Sequence, residues 1–221
     1  MNEISKVDYY GKREVVENYF ERRYGNNSGK LINKRELYAV KSLLPGKGKI
    51  LDVACGTGRL GMILNRNFEV TGVDTSKEML KICPYKNKII GSAEKLPVKD
   101  KYDIVVALRF FFHYEDIEPF LKEFKRVSKK NGFIIFETYS WSPRSIINIK
   151  SLGGKIYSHN HKKILEILNK LDLKLIEKRR IFLFSPFVQK KLPFFILKFI
   201  TKIEEKLPDK FKMDCYWKVQ V

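Results

Sequence analysis

Apolar positions along the 221 residues change their period several times, and each change marks an element. In residues 9–24, Val15, Val16, Tyr19 and Phe20 recur at helical spacing, which predicts a first helix. A polar Gly25–Gly29 loop follows, then a second helical pattern from about Leu31 to Leu44, ended by Pro45 and Gly46. The pattern then shortens. Lys49–Val53 reads as an apolar strand feeding a glycine turn, Arg59–Asn65 as a helix, and Phe68–Val73 as a second strand. Ser76–Ile82 is a short helix that Thr75 or Ser76 would cap. Lys88–Ile90 and Tyr102–Ala107 are the third and fourth strands; Ile117–Ser128 is helical, Asn131-Gly132 a turn, and Phe133–Glu137 a fifth strand. Residues 138–160, with Trp141, Pro143, Gly153 and Gly154, read as an irregular insertion. Helix returns at His161–Lys170 and strand at Lys174–Leu183. An amphipathic stretch at Leu192–Glu205 precedes a last strand at Met213–Val221.

Strand and helix alternate with short connections, which predicts an α/β fold: a doubly wound, mostly parallel, seven-stranded sheet built from right-handed βαβ units. One domain would span residues 1–221, with a helical cover at 1–46, a central part at 47–138 and a variable C-terminal half at 139–221. A 44% hydrophobic and 13% aromatic composition fits a packed core. Met1–Lys12 is too polar for a secretory leader. The most apolar stretch, Ile181–Ile200, is interrupted by Ser185, Pro186, Gln189, Lys190, Lys191 and Pro193, which predicts no membrane span. Cys55, Cys83 and Cys215 match no zinc spacing, and so sparse a set fits a reducing cytoplasm. The formal charge of +19 leaves two readings open. It fits a polyanionic partner such as RNA or an anionic membrane surface, or a general lysine richness, since the lysines are spread along the chain.

The chemistry gathers at the first strand. Gly56-Thr-Gly58-Arg-Leu-Gly61 spells G-x-G-x-x-G between a strand and a helix, the context of a nucleotide-type loop rather than of a plain structural turn. Asp52 separates two kinds of ligand. A carboxylate four positions before Gly56 would repel a pyrophosphate, but suits a ligand carrying an ammonium and a sulfonium; the plainer alternative is a turn cap. Asp74, ending the second strand, can accept hydrogen bonds from a ribose diol, or serve the start of the Ser76 helix.

These segments carry a family resemblance. Ile50–Gly61 resembles motif I of class I S-adenosylmethionine-dependent methyltransferases of the small-molecule type, and Val70–Ser76 their acidic second-strand motif. Gly91–Pro97 resembles the segment bordering the adenine, Tyr102–Asp116 the fourth-strand motif, and Phe124–Phe136 the helix, turn and fifth strand that follow. The likeness is collinear over about residues 48–138; Tyr9–Leu44 is more loosely similar to the helical cover of such enzymes. It implies a Rossmann-like sheet, S-adenosyl-L-methionine as cofactor and S-adenosyl-L-homocysteine as product. By position, Asp52, Ala54, Cys55, Gly56 and Gly58 would hold the methionine moiety and Asp74, with Thr75 beside it, the ribose. Ala93 and Glu94 would meet the adenine end, Leu108 and Arg109 would lie beside the methionine side, and Tyr19 would close over the cofactor. Ala54 stands where motif I more often has glycine, which is tolerable at negative φ.

Bland alternatives accompany several of these: Glu94 as an exposed loop acid, Arg109 paired with a structural carboxylate, Tyr19 as plain core. His113 lies where an acceptor usually arrives, as a general base or a packing histidine. His159-x-His161 has no third ligand nearby, so no metal is expected. Three functions follow. The first is methyl transfer to a small, apolar quinone- or lipid-like metabolite, supported by Phe110–Phe112, Trp141 and the aromatic stretch Phe182–Phe199. The second is methylation of RNA through the basic surface, although no Asn-Pro-Pro-Tyr-type motif follows the fourth strand. The third is cofactor binding without catalysis, or a nicotinamide dehydrogenase, which Asp52 disfavours. Leu192–Glu205 would cover the acceptor pocket, touch an anionic membrane, or pack on the sheet.

Overall fold

The computed structural model describes residues 10, 13–146 and 155–221. The helical cover comprises α1 (Arg13–Glu17), α2 (Tyr19–Tyr24) and α3 (Asn27–Leu43). Then come β1 (Gly48–Val53), β2 (Phe68–Asp74), α4 (Lys77–Ile82), β3 (Asn87–Ile90), β4 (Tyr102–Ala107), α5 (Glu118–Val127) and β5 (Ser128–Tyr139). The C-terminal part holds α6 (His161–Lys170), β6 (Lys174–Ile181), α7 (Pro186–Gln189), α8 (Phe194–Lys206) and β7 (Asp214–Gln220). The seven strands lie in the order β3-β2-β1-β4-β5-β7-β6, and β7 alone runs antiparallel to its neighbours.

Both faces of the sheet are covered, so the central strands alternate between two apolar cores. Leu51, Val53, Val105, Ala107, Ile134 and Phe136 face α5 and α6, which contribute Phe120, Leu121, Phe124, Ile164 and Leu168. Ile50, Ile104, Val106 and Ile135 face the other way, against Ala39, Val40 and Leu43 of α3. The strand order changes direction between β1 and β4, and a crevice opens there at the carboxyl ends, the place where open parallel sheets receive ligands.

Several local expectations change. The predicted Gly25–Gly29 loop is mostly helix, because Asn26 caps α3 by accepting from the Gly29 N–H at 2.7 Å. Gly29 is required by a close approach: a Cβ there would lie 2.8 Å from the backbone of Arg23 and Tyr24. The helix expected at Arg59–Asn65 is a 3-10 helix, Arg59–Ile63, because only nine residues separate Gly58 from β2. Asn131-Gly132 is no strand-breaking turn. Asn131 adopts a left-handed φ of 64° inside the continuous β5, where the register with β4 shifts. Of the expected insertion, 138–139 are strand and 147–154 lie outside the described residues. Among the described residues no helix is long and apolar enough to cross a membrane.

Candidate functional site

After Val53 the chain turns away from the sheet through three left-handed residues: Ala54 at φ 54°, Gly56 at 53° and Gly58 at 75°. The condition of a negative φ at Ala54 is therefore not met, and its methyl group costs about 1 kcal/mol in that conformation. The neighbouring backbone fixes it there. The Cys55 N–H donates to the Val73 carbonyl at 3.1 Å, and the Gly56 N–H to Asp74 Oδ2 at 2.7 Å. Gly58 is constrained by space as well, since a Cβ would stand 2.7 Å from Cys83 Sγ. At Gly56 a Cβ would meet nothing within 4 Å; its outer side is open cleft.

Ten of the expected positions line that cleft together: Tyr19, Asp52, Ala54, Cys55, Gly56, Asp74, Thr75, Leu108, Arg109 and His113. Gly58, Ala93 and Glu94 do not line it. Gly58 turns into the packing around Cys83 and Tyr85, Ala93 is buried beside Leu96 and Val98, and Glu94 is exposed. Tyr114, on the lining, carries the electrostatic link to Glu94: burial first, then the charges of Glu94 and Asp74, push its hydroxyl up.

Asp74 closes β2 and ties two turns together, accepting from Gly56 N–H and, at 2.8 Å, from Ser76 N–H. Ser76 then caps α4 through the Met79 N–H, so the helix-start reading of this stretch holds. Asp52 is buried at the end of β1 and accepts the Tyr85 hydroxyl at 2.8 Å. Burial pushes its carboxyl up to about 7, although the Tyr85 hydrogen bond works in the other direction.

Arg109 shows the pairing that its bland alternative described, and does so on the cleft wall. Its Nη1 donates to Glu36 Oε1 of α3 at 2.7 Å, and its backbone, at a φ of 56°, donates to Glu137 Oε2 at 3.0 Å. Arg59 holds the other oxygen of Glu36. Burial works to raise the Glu36 carboxyl, but the charges of Arg109 and Arg59 outweigh it and hold the group below its ordinary range. Glu137 and Asp214 bring their oxygens within 4.8 Å of Glu36 and of each other. Burial, and then the like charges around them, pushes both of these upward.

Tyr19 is half-buried, and its hydroxyl accepts from Arg23. His113, in a 3-10 turn after β4, sets its ring 4.3 Å from Phe112 and 5.9 Å from Tyr10. His159 Nε2 contacts the Tyr114 carbonyl and His161 Nε2 the Ser140 hydroxyl, so the two imidazoles serve different neighbours. Sequence reasoning missed Tyr10, Tyr24, Glu36, Arg59 and Tyr85. Glu36 and Glu137 had one visible signal, an acid set among apolar positions that face the core.

The chain is similar to known proteins in part of its sequence and in its fold. Residues 51–136 match the family model described as a methyltransferase domain. A ubiquinone biosynthesis O-methyltransferase of Pelagibacter ubique is 32% identical over 108 residues, 45% of each chain. The chain thus spans about half the length of the curated relatives it matches. Among solved structures, an S-adenosylmethionine-dependent methyltransferase of Thermotoga maritima superposes with a TM-score of 0.67 at 20% identity, over 94% of this chain and 96% of that one. A [4+2]-cyclase reaches 0.66 at 14% identity over 100% and 98%, and identities this low speak for fold alone. The likeness to a methyltransferase domain thus covers residues 51–136, the segment that holds the glycine turn and Asp74, and the solved structures share the fold of the whole sheet.

Proposed function

We propose that the chain is an S-adenosylmethionine-dependent methyltransferase acting on a small, apolar acceptor of quinone or lipid type, with S-adenosylhomocysteine as product. The observation that carries this reading is the cleft in which Asp52, the left-handed turn and Asp74 converge at the carboxyl ends of β1 and β2. The residues fit the cofactor. Gly56 opens its backbone to the cleft, Asp52 offers an acid at the end of β1, and Asp74 keeps lone pairs on both oxygens for a diol. Tyr10, Tyr19, Phe110 and Tyr114 supply an aromatic wall suited to a flat apolar acceptor, and the Pelagibacter relative's name supports the quinone class. Cytoplasmic placement belongs to the same reading and agrees with three free, buried cysteines.

When bound, the cofactor supplies an activated methyl group, so the protein's task is positioning and exclusion of water. Tyr10 lies over the cleft, held by the Ser76 hydroxyl donating to its carbonyl at 2.9 Å, and Tyr19 stands beside it. Arg109 is fixed by Glu36 and Glu137 and so gives the cleft a rigid wall. In this reading His113, on the cleft lining, withdraws a proton from an acceptor hydroxyl. The test is incubation with the methyl donor and a panel of hydroxylated quinols and phenolic lipids. One acceptor should gain the mass of a methyl group as S-adenosylhomocysteine accumulates; product on RNA alone would replace this reading with the nucleic-acid one.

The cofactor's affinity should depend on pH through Asp52. In the free protein its proton persists up to about pH 7, whereas a cationic ligand end favours the carboxylate. Binding then expels a proton below that pH. Affinity is expected to rise by up to about tenfold per unit between about pH 5.5 and 7 and then to level off. Calorimetry across that range checks it, and Asp52→Asn should flatten the profile. A flat profile in the unsubstituted protein would remove Asp52 from the cationic end.

A further inference from the structure

We infer that α8 is a docking surface for an anionic lipid bilayer, set at the same end of the molecule as the cleft. The helix is anchored by Leu197 and Glu204, both buried. Glu204 pairs with Arg35 of α3 and accepts the Phe182 N–H at 2.7 Å. The other side is uncovered. Phe195, Phe199 and Ile203, spaced four apart, are 73%, 65% and 40% exposed. Lys198, Lys202 and Lys206, also spaced four apart and exposed, run as a parallel row beside them. At 100° per residue all six fall within an arc of about 140°. The helix thus mixes apolar residues and lysines on one exposed face.

That mixture identifies the occupant. A protein core would leave the lysine row without counter-charges, and a purely polyanionic partner would leave two phenylalanine rings in water. An anionic bilayer meets both: the rings enter the acyl boundary while the lysine stems extend and keep their ammonium groups among the phosphates. The surroundings carry the same sign. Residues 190–212 hold seven lysines against three acids, one of which is the buried and paired Glu204.

The position adds a consequence. β6 runs parallel to β5, and α8 follows its carboxyl end, where Glu204 receives the first amide after that strand. The cleft opens at the carboxyl ends of β1, β2 and β4 of the same sheet. The docking helix and the cleft thus both lie near the carboxyl ends of the strands. The surface itself does not depend on the proposed acceptor.

The test is sedimentation of the full chain with vesicles of phosphatidylcholine alone or mixed with phosphatidylglycerol. Binding is expected to the mixed vesicles only and to weaken with salt. The pairs F195S/F199S and K198Q/K202Q should each weaken it by about tenfold or more, since two buried rings or two surface lysines contribute at least that. Thermal midpoints should stay unchanged, because all four side chains are exposed. Absence of lipid-dependent sedimentation overturns the inference, as does unchanged binding of F195S/F199S. A self-association that F195S/F199S abolishes, or RNA retention without vesicle binding, assigns the face to those partners and overturns it too. S-adenosylhomocysteine titration of the same samples keeps a failure here distinct from a failure of the cofactor reading.

Discussion

Asp74→Ala is expected to weaken S-adenosylhomocysteine binding by about 100-fold or more. Two ribose hydroxyls donating to one carboxylate make charge-assisted hydrogen bonds, each contributing about 1.5–3 kcal/mol. A factor of ten corresponds to about 1.4 kcal/mol, so the pair alone accounts for at least that loss. The substitution also frees the Gly56 and Ser76 amides, which loosens the turn after β1 and the start of α4. Asp74→Asn keeps the shape and one acceptor, and should fall between. Calorimetry on each variant, with a thermal midpoint without ligand as the folding control, separates lost ligand contacts from a collapsed loop. Unchanged affinity in a folded Asp74→Ala protein would sink the ribose assignment.

The second large effect concerns stability. Glu36 has no exposed surface, and it carries the ion pairs of Arg59 and Arg109, whose side chains are only 10% and 13% exposed. Glu36→Ala strands two buried guanidinium groups, and breaking a buried pair from one side costs about 3–5 kcal/mol. In a chain of this size each kcal/mol shifts the thermal midpoint by about 2–4 °C, so a loss of about 10 °C is expected. Two responses limit the damage: Glu137 and Asp214 can ionise to take over part of the neutralisation, and Glu36→Gln should be milder than alanine. Thermal and urea unfolding test this. A loss below about 1 kcal/mol would mean that the guanidinium groups are neutralised elsewhere.

How far the sequence was legible depended on whether the controlling partner was local. β4 and α6 have the boundaries that the pattern predicts, because each is a strongly periodic segment between clear stops. The seven strands and their mostly parallel arrangement followed from alternation and connection length. What failed was controlled from a distance. Ala54 takes a left-handed φ because Val73 and Asp74 hold the two following amides. Asn131 stays inside β5 because its N–H donates to the carbonyl of Val221, ninety residues on. The cleft showed the same division. Asp52, Gly56 and Asp74 are adjacent to strand ends and could be read directly. Tyr85, which holds Asp52, and Glu36, which holds Arg109, come from elements that only the folded sheet brings near. The lysines of α8 carried a visible period but not an orientation, since Leu197 and Glu204, rather than the bulkiest residues, fix the buried side.

Asp52 with its turn remains the centre of the account, and calorimetric titration of the unsubstituted chain with S-adenosylhomocysteine and, separately, with NADH tests it most directly. Saturable one-to-one binding of S-adenosylhomocysteine with no heat from NADH is the predicted result. Tight NADH binding, or no binding of S-adenosylhomocysteine by folded protein, would contradict it.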